Sequence, residues 1–75
     1  MSDEYKKAFG QRLRQARKAA GLKPEELGEK VFYGKWAIES YERGMRLPPI
    51  DTVCKMADVL GVSVDWLTRG EGEGP

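Results

Sequence analysis

Histidine is absent from the chain, and cysteine occurs once, at Cys54. Without an imidazole there is no general base to activate a nucleophile, and a lone thiol neither closes an internal disulfide nor supplies the cysteine pairs of a zinc site. No apolar run approaches the roughly 18 residues of a membrane span, and nothing has the form of a signal peptide. A glycine-rich phosphate cradle is also missing. These absences argue against an enzyme, a metal site and a membrane protein. No cofactor is expected, and a reducing cytoplasm is the expected compartment.

What is present is a short chain of 75 residues, 40% of them apolar, enough for one small domain with one modest core. A third of the residues are charged, yet the net charge is only +1, so bulk electrostatics alone would not drive the chain onto nucleic acid. The distribution is uneven. Residues 1–23 carry seven Lys and Arg against Asp3 and Glu4, a net +5, whereas residues 24–75 carry a net −4.

The apolar pattern has a helical period throughout. Phe9, Leu13, Ala16 and Ala20 fall on one face of a first helix over residues 3–20, which Gly21 stops. Pro24 suits the first turn of a second helix, where a missing N–H costs nothing; Glu25, Glu26 and Glu29 favour its positive end, and Leu27 and Val31 form its buried side. After a break at residues 32–34, a third helix spans residues 35–43, with Gly44 placed for a left-handed end. An extended linker, residues 45–49, leads to a fourth helix marked by Val53, Met56, Ala57 and Leu60 and ended by Gly61. Ser63 can cap a short fifth helix containing Val64, Trp66 and Leu67. Residues 70–75 (GEGEGP) have nothing apolar to bury and are expected to form a flexible acidic tail.

The third helix divides into two faces. At about 100° per residue, Trp36, Glu39, Ser40 and Arg43 gather on one side with Lys35 at the margin, and Ala37, Ile38 and Tyr41 take the other. One face can pack while the other stays free to read a partner.

The stretch RLRQARKAAGL, the segments EELGEKV and IESYERG, and the run ADVLGVSVDWLTRG together resemble the phage repressor and Cro-like helix-turn-helix family over residues 9–70. The resemblance implies an all-α, compact five-helix DNA-binding domain over residues 1–69, with the helix-turn-helix at helices two and three. It also implies that helix three lies in the major groove of a double-stranded DNA operator. Lys35, Trp36, Glu39 and Ser40 are then candidate base contacts, and Arg12, Arg43 and Arg46 candidate backbone contacts. Arg17 and Glu42 correspond to the family's charged pair between helices one and three. A homodimer on a partly palindromic site, with its two reading helices about 34 Å apart, is implied as well, using helix five and Leu67 as the subunit surface. The chain departs from the family pattern at Pro24, where many relatives carry a glutamine, at Phe32, where the turn usually has glycine, and at Gly34, where Ser or Thr usually caps.

Each candidate has a plainer alternative. Lys35 and Arg43 bond phosphates or guanine, or are solvated charges; Ser40 tolerates close approach to bases, or is a bland surface residue. Glu39 repels phosphate unless it accepts from a cytosine amine or pairs with Lys35 or Arg43. Trp36 packs on thymine methyls or sugars, docks into a partner protein, or folds back over Phe32 and Tyr33. Arg14 and Lys18 read as solvated, Trp66 as a core aromatic, and Cys54 as a core or boundary filler. The rival functional reading is a protein-interaction module, such as an antitoxin, antirepressor or regulator subunit.

Overall fold

The computed structural model describes residues 3–75 and contains five helices: α1 Asp3–Ala19, α2 Pro24–Val31, α3 Lys35–Glu42, α4 Ile50–Leu60 and α5 Val64–Arg69. The all-α class and the element order agree with the sequence pattern. Gly21 and Gly61 take the left-handed conformation that stops α1 and α4, and the Ser63 hydroxyl accepts the Trp66 N–H at 3.0 Å to cap α5. Ala20 falls one residue beyond α1 and is exposed, so the inward stripe of that helix ends at Ala16.

The core is filled from every helix. Phe9 and Leu13 of α1, Leu27 of α2, Ile38 of α3, Met56 of α4 and Leu67 of α5 are all essentially inaccessible. Leu67 is therefore not available as a subunit surface, contrary to the expectation above, and Cys54 lies outside the core as an exposed thiol. Trp66 is half-buried against the core. Residues 70–75 run back beside it: the Ser63 N–H donates to the Glu73 carbonyl at 2.9 Å, and a Cβ on Gly74 would lie 2.5 Å from the indole nitrogen.

Helix α3 is held by α1 and α2, while α2 also packs on α4. At the α1–α3 crossing the backbones nearly touch. A Cβ on Gly10 would come within 2.5 Å of the Tyr41 carbonyl oxygen and 2.6 Å of that of Glu42, so only glycine permits this approach.

The α2–α3 turn keeps a left-handed residue even though that residue is an aromatic. Phe32 has φ 64° and ψ 37°, and around it the Tyr33 N–H donates to Gly28 at 2.8 Å and the Phe32 N–H to Glu29 at 3.4 Å. This is the two-bond Schellman end of α2, normally built on glycine. An L-residue pays about 1–2 kcal/mol for the left-handed conformation. The Lys55 ammonium 5.1 Å above the exposed Phe32 ring returns only part of that cost. Phe32→Gly is accordingly expected to raise the unfolding free energy by about 1 kcal/mol after glycine's extra unfolded-state entropy is counted, and the melting temperature by roughly 4–8 °C. A melting temperature equal to or below that of the parent would show that the ring's contacts outweigh the strain.

Candidate nucleic-acid interface

Helix α3 enters from an extended Gly34 with no side-chain cap. The turn before it is tied down by Tyr33, whose hydroxyl accepts from Thr52 Oγ1 of α4 at 3.1 Å and whose ring meets Tyr41 edge-on at 6.2 Å. Ile38 and Tyr41 bury the inner face of the helix. Burial pushes the Tyr41 phenol above its usual pKa, with Tyr33 adding to the effect and Arg46 opposing it.

The outer face is open. Trp36 is 82% exposed, so its indole does not fold back over Phe32 and Tyr33; Phe32 is itself 80% exposed. Trp36, Glu39, Ser40, Arg43 and Met45 line a cleft of about 250 Å³. Lys35 Nζ lies 4.0 Å from a Glu39 carboxylate oxygen, and Arg43 Nη2 donates to Met45 Sδ at 3.3 Å. The Lys35–Glu39 pair is solvent-exposed and contributes only a few tenths of a kcal/mol. It does, however, offset the one carboxylate on a face that otherwise carries Lys35 and Arg43.

The angle of α3 is set by a buried ion pair. Arg17 Nε donates to Glu42 Oε2 at 2.6 Å and Nη2 to Oε1 at 3.0 Å, while Nη1 donates to the Leu22 carbonyl at 2.9 Å. The hydrogen bond to Glu42 raises the guanidinium pKa above its usual value against the opposing effect of burial, so the charge persists. This pair locks α1 to the end of α3, and the close approach at Gly10 fixes the same crossing.

A short helix held across another by a tight, hydrogen-bonded turn, with one face buried and the other open, is the local form of a helix-turn-helix. A family model described as a helix-turn-helix domain matches residues 8–69. The chain belongs to the helix-turn-helix family. Over 60 residues it is 38% identical to the HTH-type transcriptional regulator ImmR of Bacillus subtilis (strain 168), covering 80% of this chain and 47% of that protein. The chain spans about half the length of the curated relatives it matches. Among solved structures it is similar to the restriction-modification controller protein C.AhdI from Aeromonas hydrophila, with 31% identity, a TM-score of 0.80 and coverage of 87% of this chain and 94% of the other. It is likewise similar to the P22 c2 repressor protein in complex with a synthetic operator, with 28% identity, a TM-score of 0.80 and coverage of 84% and 96%. These neighbours are transcription regulators and not enzymes.

Within this helix-turn-helix domain, Lys35, Trp36, Glu39, Ser40 and Arg43 share one open face. Arg46, in the loop after α3, is exposed and stacked over the Tyr41 ring at 5.4 Å. Arg12 is engaged within the fold. Its Nε donates to the Leu67 carbonyl and its Nη2 to the Thr68 carbonyl, both at 2.9 Å, so it caps the end of α5 and does not share the α3 surface. Arg14, an exposed basic residue of α1, does border α3 beside the Arg17–Glu42 pair, lining a cavity of about 320 Å³ with Arg17, Pro24, Glu39, Glu42 and Arg43. Arg14 lies four residues after Gly10 and three before Arg17, on the same helical face, a relation that becomes a signal only once Gly10 is known to sit at the α1–α3 crossing. Among the described residues no helix is long and apolar enough to cross a membrane, and no group of three or more His, Cys, Asp or Glu is placed to hold a metal.

Proposed function

We propose that this helix-turn-helix domain is a sequence-specific regulator of transcription that binds double-stranded DNA, acting in the cytoplasm as a repressor. It docks α3 in the major groove as a two-fold dimer on a partly palindromic operator. The observation that carries the reading is the open face of α3: Trp36, Lys35 and Arg43 are exposed and Ser40 half-exposed on a helix whose other face is buried and whose angle is held by the Arg17–Glu42 pair. Ser40 and Trp36 present small polar and flat apolar contacts to base edges, Lys35 offers a cation to guanine or phosphate, and Glu39 accepts from a cytosine amine. Arg43 and Arg46 sit at the rim, where they bond the backbone and set register. A protein bound in this way over a promoter excludes polymerase, and repression follows from occupancy.

A second reading is favoured by one observation, the joint exposure of Phe32 and Trp36, four residues apart across the turn. Two large exposed aromatics suit a protein partner as well as DNA. The two readings are separated by titrating labelled DNA from upstream of the gene with the protein, in excess random competitor, alongside the Ser40→Ala/Arg43→Ala variant. The DNA reading expects tight binding that survives competitor and falls by roughly 1–3 kcal/mol per half-site in the variant. Absence of binding by the parent protein would transfer the assignment to a protein partner covering Trp36.

A further inference from the structure

The cavity between α1, α2 and α3 points to a contact that the open face of α3 does not include. Arg14 and Arg43 both line it, and both are exposed. Among the described residues the ion pairs within 4.0 Å are Arg17–Glu42 and Lys35–Glu39. Neither Arg14 nor Arg43 therefore has a carboxylate partner, while the third guanidinium of the cavity, Arg17, is already neutralised by Glu42. Glu39, the remaining acid in the lining, is drawn toward Lys35.

The nearby end of α2 is poorly suited to hold an anion through its backbone. Pro24 has no N–H, the Lys23 N–H is spent on the Glu26 carboxylate at 2.7 Å, and the Glu26 N–H bonds the Lys23 carbonyl at 3.0 Å. Glu25 and Glu26 add two negative charges to that turn. An anion at this cavity must be held by side chains, and two guanidiniums without a carboxylate partner, Arg14 and Arg43, are available there. Guanidinium forks match the oxygens of a phosphodiester bidentately.

We propose that Arg14 and Arg43 form a two-guanidinium clamp for a single DNA backbone phosphate, fixing the register of α3 from the α1 side. The ligand is DNA rather than free phosphate because the cavity shares Glu39 and Arg43 with the Trp36–Ser40 cleft and so continues the reading face. The proposal rests on the DNA-binding reading above. Arg14 has no role in the fold that its loss would disturb, and its contact carries no base information.

The test is a double-variant cycle on DNA binding with Arg14→Gln, Arg43→Gln and both together, measured on operator and on random DNA over a salt series. Arg69→Gln, an exposed cation on α5, serves as the control for a change of net charge. The clamp expects Arg14→Gln to weaken binding about tenfold on both DNAs alike, with the operator preference unchanged. Because the two arginines share one phosphate, their effects are non-additive. The double variant lowers the salt slope by about 0.9 per subunit, and Arg69→Gln leaves it unchanged. Equal affinity and slope for Arg14→Gln and the parent would overturn the proposal, and so would strict additivity, which places Arg14 on a separate phosphate. Tight binding of inorganic phosphate to the protein alone at matched ionic strength would mark a free-anion pocket and also overturn it. Failure of the parent protein to bind any DNA would instead remove the underlying reading.

Discussion

Glu42→Gln is expected to lower the unfolding free energy by about 3 kcal/mol, the usual penalty for breaking a buried pair by removing one partner. Both side chains are less than a tenth exposed, and Arg17 remains charged because nothing in the working pH range deprotonates a guanidinium. Glutamine offers one neutral oxygen in place of the two carboxylate oxygens that now accept at 2.6 and 3.0 Å, so a full positive charge is left inside with only neutral acceptors, that amide oxygen and the Leu22 carbonyl. For a domain of this size the melting temperature should fall by roughly 12–24 °C. Arg17→Met combined with Glu42→Leu should recover most of the loss, since it removes both desolvation costs together with the attraction. A fall of less than about 4 °C in Glu42→Gln would show that the pair orients α3 without stabilising the fold.

Raising the salt concentration from about 50 to about 200 mM is expected to weaken operator binding roughly a thousandfold. The proposed dimer meets about three phosphates per subunit, at Arg46, at Lys35 and at the Arg14–Arg43 clamp. About six contacts at 0.9 each give a logarithmic slope near −5. With a net charge of only +1 the chain has little long-range pull on DNA, so the slope reports these contacts and not a diffuse field. A flat response measured by fluorescence anisotropy would be incompatible with backbone anchoring and would strengthen the protein-partner reading.

The pattern of the chain resolved everything that depends on residues within a turn or two of one another. Leu13, Ile38 and Met56 are inward because their spacing puts them there, and Ser63, Gly44 and Gly61 end or begin helices by their own local chemistry. The exposure of Cys54 follows from the same geometry, for it lies about 100° off the stripe of Val53, Met56 and Ala57. Phe32 shows the limit of local preference: it sits at φ 64° in the hydrogen-bonded end of α2 although its own sterics oppose that conformation.

The placement of the basic residues on α1 was not legible. Arg12 and Arg14 are both polar positions outside the apolar stripe, about 200° apart around the helix. Which of them borders α3 depends on where Gly10 lets the two backbones meet, and that contact joins positions more than thirty residues apart. The same holds for Leu67, whose apolar character fits a subunit surface or a core equally until α1 and α4 close over it. The sequence by itself determined the helices, their ends and their buried faces, because periodicity and capping act over a few residues. Only the tertiary structure decided that Arg12 serves α5, that Arg14 stands beside α3 and that Trp36 is exposed, because each depends on distant segments competing for the same long side chain or the same surface.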